Sequence, residues 1–414
     1  TYGFEPLETP SVENLETLQG KYGEEGDRLI FKILKRGEGA ETGQADLALR
    51  YDLTVPLARV VAEYRSKLPK FFKRYQVQPV WRADRPQKGR FREFYQCDID
   101  IIGKNELGSL AEAEIPSVIY RVFSEIGIGA FRIRLNNRKL LRGLLHTFSV
   151  ADPAAPEVFR ILDKAEKEDR SRIMSDLEAQ GLNAGIASEI LSLMTAKAST
   201  EHTLEMLRPY GQKNALVQEG LEELSQLVAA IRQFGVPETA FGVDLGVIRG
   251  LDYYTGTIYE TTLLQHPELG SICSGGRYDD LASYFTKTKM PGVGISIGLS
   301  RLFSRLLETG NLRPLERTPA EVLVTVMDRR QVGRYIQVAN ELRKAGINTE
   351  LYLEEKALGK QLEYASKKGF RLAVVAGENE FGRDAVQLKN LRTHAQAEVA
   401  LARLAEAARA ALKE

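Results

Sequence analysis

The spacing of apolar residues changes character three times along the chain. Over residues 1–136, short runs rich in β-branched and aromatic residues alternate with turn formers, and Leu29–Leu34, Leu47–Tyr51 and Tyr95–Ile102 are expected strands. One segment of this part, from about Glu112 to Ile126, carries its apolar residues at helical spacing and meets a stop at Gly127. From about 138 to 235 the chain is rich in Ala, Glu, Leu and Lys. It reads as helix broken at Pro153, Pro156, Gly181 and Pro209. Gly-rich, β-like character returns at about 241 and lasts to about 307. The simplest organisation is one β-rich domain interrupted by a helical insertion.

After Pro314 and the Thr318-Pro319 turn the pattern changes again. Buried-type strands are expected at Glu321–Met327, Asn348–Leu353 and Arg371–Ala376, with amphipathic helices at about 330–345 and 356–368 between them. That alternation predicts a small α/β domain with a mainly parallel sheet. A further strand near Val386 and a terminal helix from about Gln396 complete the expectation.

Composition narrows the possibilities. A chain of 414 residues is long enough for two or three cores. No apolar run approaches the roughly 18–20 residues needed to span a bilayer. The start, Thr1-Tyr2-Gly3-Phe4-Glu5, lacks the basic and apolar regions of a signal peptide, and its missing Met points to residues upstream. Fifty-seven basic against 56 acidic residues leave no global field, so any nucleic-acid contact must come from local patches. Cys97 and Cys273 lie far apart, and the four histidines show no paired spacing, so no zinc site is expected. A cytoplasmic, reducing compartment fits this cysteine usage.

The most informative segment is FKRYQVQPVWRADRPQKGRFREFYQCDIDIIG, Phe72 to Gly103. Two β-rich runs flank a loop bearing Arg82, Arg85, Lys88, Arg90 and Arg92. Guanidinium groups at both ends of such a loop can grip a polyphosphate through rigid bidentate donors. On the second run Gln96, Asp98 and Asp100 alternate, which places all three on one strand face. Three polar residues there require water, partners or a ligand. A basic clamp beside an acidic and amide floor suits a substrate with both phosphate and ammonium groups.

This segment resembles motif 2 of class II aminoacyl-tRNA synthetases, in the form RADRPQKGRFREF found in histidyl-tRNA synthetases. The resemblance implies Arg82 on the α-phosphate and the amino-acid carboxylate, Arg90 on the γ-phosphate, Asp84 near the adenine and Phe94 stacked on it. The run VIRGLDYYTGTIYE, Val247 to Glu260, resembles the signature peptide of histidyl-tRNA synthetases. It offers one cation, Arg249, and two phenols, Tyr253 and Tyr254, which would face opposite ways on a strand. A neutral imidazole has one donor and one acceptor nitrogen. Asp100 can accept from the first and the Tyr254 hydroxyl can serve the second, a pairing the family implies. The family also implies that Asp52 and Thr54, in LRYDLTVP, hold the α-amino group together with Gln96.

SGGRYD, Ser274 to Asp279, resembles the family's pocket floor, where glycines avoid crowding a bound amino acid. PGVGISIGLSR, Pro291 to Arg301, resembles motif 3 and places Arg301 on ATP, with Ser300 where the family usually has Glu. A dinucleotide-binding reading fails there, because the glycine spacing is GxGxxxG and no opening βαβ unit precedes it. GFEPLETPSVE resembles motif 1, with Pro10 as its characteristic proline, and implies a homodimer. VVAGENEFGRDAVQLKNLRT resembles the anticodon-binding domain.

The resemblance therefore implies an α+β catalytic domain with a mainly antiparallel sheet, in two parts, 1–137 and 241–312. These are separated by a helical insertion at 138–240 and followed by an anticodon-binding α/β domain at 319–414. It implies ATP and histidine as substrates, Mg²⁺ with the ATP, tRNA for histidine as partner, and catalysis by Arg249 and Arg82. A synthetase-like regulatory subunit of histidine biosynthesis is the non-enzyme rival; such paralogues typically lack the RGLDYY peptide and the C-terminal domain, and this chain has both. A class II synthetase for proline, threonine or glycine is the other, disfavoured by the Asp100 and Tyr254 pairing.

Overall fold

The computed structural model describes residues 1–85, 89–166, 168–248, 253–312 and 318–413, without the side chains of Glu24 and Glu25. It divides into two compact units, Thr1–Leu312 and Arg313–Glu414.

The first unit is built on an eight-stranded sheet. Its spatial order is Glu5–Pro6, Phe71–Trp81, Glu93–Gly103, Gly292–Gly298, Ser271–Tyr278, Thr257–Leu263, Phe131–Asn137 and Phe241–Val243. Only the two outermost pairings are parallel; the rest are antiparallel. The two eleven-residue strands at its heart pair without interruption from Phe71–Gly103 to Trp81–Glu93. Alternation then gives each face its character. Ile99, Ile101, Val293, Ile295 and Ile133 enter the hydrophobic core, while Arg74, Gln76, Gln96, Asp98 and Asp100 take the opposite face.

The core face is covered by the helix Ser109–Ile126, which buries Ala113, Ile115, Ile119 and Phe123. Its end is set by Gly127 at φ +72°, whose N–H bonds the Phe123 carbonyl. Pro116 lies inside this helix and cannot donate to the carbonyl of Glu112. The Tyr259 hydroxyl donates to that carbonyl at 2.9 Å, so sheet and helix join where the helix ladder is broken.

Six helices, Arg138–Thr147, Ala155–Leu162, Arg170–Ala179, Ala184–Met194, Thr200–Gly211 and Ala215–Gln233, belong to the same unit and share its core. Asn137, Asn183, Ser199 and Asn214 cap four of them by accepting N–H bonds. The first and last helices cross closely at glycines. A Cβ on Gly220 would lie 2.7 Å from the Leu140 backbone, and one on Gly143 2.6 Å from the Val217 nitrogen.

The second unit is an α/β domain with a five-stranded sheet ordered Thr349–Leu351, Val322–Val324, Leu372–Val375, Ala385–Asn390, Gln396–Ala400. Two expectations need correcting here. The sheet is parallel only across its first three strands, and its last two pairings are antiparallel. The terminal helix starts at Leu404, because Gln396–Ala400 completes a hairpin with Ala385–Asn390 as an exposed edge strand. Sheet pairing there overrides the helical propensity of an Ala- and Glu-rich run. A buried amide fixes the loop after the first strand: Gln361 accepts from the Val326 N–H at 2.9 Å and donates to the Val326 and Lys356 carbonyls at 2.7 Å.

Candidate active site

The polar sheet face carries a buried charge cluster. Arg74 and Asp100 stand opposite each other on the paired strands and form an ion pair at 2.9 Å. The Arg74 guanidinium also donates to Gln76 at 2.8 Å and to the Leu53 carbonyl at 2.9 Å. Asp100 accepts the Tyr278 hydroxyl on Oδ1 at 2.5 Å. Its Oδ2 keeps no hydrogen-bond partner among the described residues, the ion pair lying off the donor axis. On the next strand Gly294 faces Asp100, and a Cβ there would come within 2.2 Å of Oδ1. A glycine is what lets the carboxylate lie flat against the sheet.

Four residues back along the strand, Gln96 donates to the Ser296 hydroxyl at 2.6 Å, leaving its Oε1 buried and without a partner among the described residues. Asp98, between Gln96 and Asp100 on the same face, is 2% exposed and its Oδ1 is likewise unpartnered. Burial pushes its carboxyl up to about 7; Arg74 and the Ser296 hydroxyl pull it down, while Asp100 and Asp52 push it further up.

Asp52 sits just before the helix Thr54–Tyr64, and its Oδ1 accepts the Val55 N–H at 3.1 Å and the Tyr22 hydroxyl at 2.9 Å. Its Oδ2 accepts the Tyr253 hydroxyl at 3.0 Å. Burial raises its carboxyl above the usual range despite these bonds. Thr54 opens the helix and faces the Tyr253 phenol. Tyr253 and Tyr254 differ from the strand-based expectation. Their segment is a turn before the strand Thr257–Leu263, so the two rings lie edge to face at 4.9 Å instead of on opposite sides. Tyr253 also meets Tyr278 at 6.0 Å, and a Cβ on Gly276 would lie 2.9 Å from the Tyr254 ring. Three phenols and two glycines thus gather around Asp52 and Asp100.

The cationic side lies around the loop between the two long strands. The Arg82 guanidinium is held between aromatic rings, 4.3 Å from the Tyr51 centroid and 5.2 Å from that of Phe94, and donates to the Tyr51 carbonyl at 3.1 Å. Asp84 and Arg90 lie 3.7 Å apart at the rim. Arg301 donates to the Leu269 carbonyl at 2.5 Å, and burial together with Arg90 and Arg305 lowers its proton affinity. Mutually repelling guanidiniums of this kind are a ready seat for an anion. Ser300, in the place usually held by Glu, accepts the Tyr95 N–H at 2.9 Å and fixes the start of the helix Leu299–Glu308 to the sheet.

The structure therefore gathers Asp52, Thr54, Gln96, Asp100, Tyr253 and Tyr254 in one cluster and Arg82, Asp84, Arg90, Phe94 and Arg301 on a cationic side. Arg249 lies outside the described residues. The approach to it is held by side chains: Asn136 donates to the Leu245 and Val247 carbonyls at 3.2 and 3.0 Å, and Arg138 to that of Ile248 at 3.1 Å. Sequence reasoning missed Tyr22, Arg74, Tyr278 and Ser296. For Arg74 a signal existed, a charged residue in phase with Gln76 and Gln78 on a strand; for Tyr22 nothing local distinguishes it from a core aromatic.

A family model described as histidyl-tRNA synthetase matches residues 1–302, and one described as an anticodon binding domain matches residues 321–411. A histidine–tRNA ligase of Xanthomonas campestris is 43% identical to this chain, over all of it and 90% of that protein. Another, of Stenotrophomonas maltophilia, is 44% identical over 96% of this chain and 89% of its own length. The crystal structure of a histidyl-tRNA synthetase from Nostoc sp. PCC 7120 superposes with a TM-score of 0.80 at 40% identity, covering 99% of this chain and 92% of that one. A Bacillus halodurans structure described as an ATP phosphoribosyltransferase regulatory subunit/histidyl-tRNA synthetase shares the fold, with a TM-score of 0.69 at 20% identity.

Proposed function

The chain belongs to the histidyl-tRNA synthetase family, and from its reaction, ATP-driven ligation of histidine to tRNA, we propose how its own residues divide the work. Histidine lies on the polar sheet face, its imidazole toward Asp100 and Tyr254 and its ammonium toward Asp52, Thr54 and Gln96. Its carboxylate points to Arg82. ATP lies on the cationic side, with Phe94 and Asp84 at the adenine, Arg90 and Arg301 at the phosphates, and Mg²⁺ carried in by the triphosphate.

The carboxylate oxygen attacks the α-phosphorus as the bond to pyrophosphate breaks, giving histidyl-adenylate. The terminal adenosine hydroxyl of tRNA then attacks the activated carbonyl and releases AMP. Negative charge grows on the α-phosphate oxygens in the first step. Arg82, clamped between two rings before substrate arrives, meets that charge without reorganising. Arg249 is the second cation assigned to it. No zinc is assigned: Cys273 is buried and Cys97 half-buried, burial holds both thiols protonated, that of Cys97 at about 11, and a strand separates them.

The observation that carries this reading is the row of buried Gln96, Asp98 and Asp100, with unsatisfied acceptors, beside the glycines Gly276 and Gly294. Pyrophosphate exchange with each of the twenty amino acids tests it. Histidine alone should support exchange, and Gln96→Ala should raise the histidine requirement; an unchanged requirement would remove histidine from this face.

Residues 1–137 and 241–312 form the catalytic domain in this reading, 138–240 an insertion, and 319–414 the part that meets the anticodon. A homodimer through the Pro10 segment is supported by an apolar surface. Tyr75, Val77 and Tyr95 stand exposed on the long strands, and Val12, Leu34 and Leu47 on the small sheet beside Pro10. The enzyme's place is with its tRNA in the cytoplasm.

A further inference from the structure

We propose that Arg305 is a further binding residue for the terminal phosphates of ATP and for the pyrophosphate that leaves, gripping their oxygens through its Nε–Nη2 edge. The proposal rests on the placement of ATP above and adds one residue to it. Arg301 and Arg305 stand one turn apart on the helix Leu299–Glu308, where side chains four residues apart are neighbours. The loop between the two long strands comes against the second of them. Gly89, at φ +77° in that loop, is so close that a Cβ on it would lie 3.3 Å from both Nε and Nη2 of Arg305. Arg90 follows directly in the chain.

A guanidinium holds an oxyanion best through two parallel N–H groups on one edge. In Arg305 that edge is Nε and Nη2, because Nη1 is committed to Glu308 at 2.8 Å. Its Nε is buried and has no partner among the described residues, an expensive state for a charged donor. The residue facing this edge is a glycine, so no side chain of the loop covers it. Arg301, already assigned to the phosphates, carries the same unmet Nε, and Arg305 repeats it one turn further along the helix. The remaining cations of this side differ: Arg82 gives its Nε to the Tyr51 carbonyl and Arg92 gives its own to that of Asp84, both at 3.1 Å.

Charge points the same way. Asp84 lies 3.7 Å from Arg90 and Glu308 is paired with Arg305, while the charges that act on Arg301 are those of Arg90 and Arg305. Three guanidiniums thus share two carboxylates, and an arriving polyphosphate supplies the missing negative charge. Cations on successive turns suit an anion extended along the helix, which the triphosphate is and AMP is not. When the bond from the α-phosphorus to pyrophosphate breaks, its electron pair goes to the leaving group. A guanidinium already held at those oxygens stabilises that charge as it develops. Arg305 itself forms no covalent bond and transfers no proton.

Pyrophosphate-exchange kinetics on the full chain test the assignment, beside binding of a sulfamoyl analogue of histidyl-adenylate, which lacks the terminal phosphates. Arg305→Met keeps the side-chain stem and removes the fork. It should raise the KM for ATP and for pyrophosphate about 10–100-fold, as for hydrogen bonds to a charged group, with the histidine KM and the affinity for the analogue within about twofold. Arg305→Lys keeps the charge without the fork and should fall between, and it carries the test should the Met variant not fold. Glu308→Gln removes the ion pair and leaves the cation, so its ATP KM should hold or fall. A rise matching that of Arg305→Met would make the pair structural and overturn the proposal. Equal weakening of ATP and the analogue, or a loss confined to tRNA charging, would overturn it too. Arg301→Met separates the two levels: if it raises the KM for ATP while Arg305→Met does not, the ATP site stands and the Arg305 assignment falls. If neither variant moves that KM, the placement of ATP itself is wrong.

Discussion

Arg74 and Asp100 are directly opposed across two antiparallel strands, and their side chains meet at 2.9 Å with neither accessible to solvent. Removing one partner leaves the other charge buried and uncompensated, which costs about 3–5 kcal/mol. Arg74→Met should therefore lower the urea midpoint strongly. Adding Asp100→Leu should recover much of that loss, because an apolar pair can replace a buried ion pair. Equal and additive losses in the two single variants would show that the pair is not coupled.

The Asp98 carboxyl gives a pH signature with a definite sign. Its folded value of about 7 lies above the roughly 3.9 of an unfolded chain. Between those values the unfolded chain loses its proton and the folded one keeps it, so stability falls as pH rises and then levels off. Asp98→Asn lacks that loss. Without histidine, the variant should gain over wild type from pH 4.5 to pH 8, by an amount on the order of a few kcal/mol. Urea titrations at pH 4.5, 6 and 8 measure it, and a constant difference across them would contradict the shift.

For Arg249 the expected effect is on rate. Arg249→Ala should slow single-turnover adenylate formation about 10²–10³-fold with both substrates saturating, as for loss of one preorganised donor, with smaller changes in affinity. The approach to Arg249 gives a companion test. Asn136 holds the Leu245 and Val247 carbonyls, and Arg134 grips Asp244 at 2.8 Å. Asn136→Ala should lower turnover while leaving the ATP requirement unchanged. If Asn136→Ala instead raises the KM for ATP at normal turnover, the positioning role is refuted.

Deleting residues 319–414 should leave histidine-dependent pyrophosphate exchange largely intact, since every side chain assigned to ATP or histidine lies before residue 306. Charging of tRNA should fall strongly. The intact enzyme's tRNA affinity should also drop as salt rises, because basic side chains displace counterions from the phosphates. Collapse of exchange in a folded truncated protein would contradict this division of labour.

Most of this site could be read from residue order alone, for a physical reason. Strand alternation places Gln96, Asp98 and Asp100 on one face whatever the rest of the chain does, and the structure keeps them there. What could not be read depends on neighbours brought in by the fold. Tyr278 reaches Asp100 across 178 residues, and Tyr22 reaches Asp52 from a segment whose local pattern is ordinary. Strand alternation does not describe Tyr253 and Tyr254, because a turn, not a strand, carries them. Local propensity favours helix at Gln396–Ala400, and its pairing with Ala385–Asn390 is a non-local decision that propensity does not see.

The central claim is that this strand face reads the histidine side chain, and Asp100 bears most of that claim. The most direct measurement is pyrophosphate exchange by Asp100→Ala as a function of histidine and, separately, of ATP. Loss of a buried charged hydrogen-bond partner costs roughly 2–5 kcal/mol, so the KM for histidine should rise about 30- to several-thousand-fold while that for ATP stays within about twofold. A folded variant with an unchanged histidine KM would place the imidazole elsewhere and contradict the account.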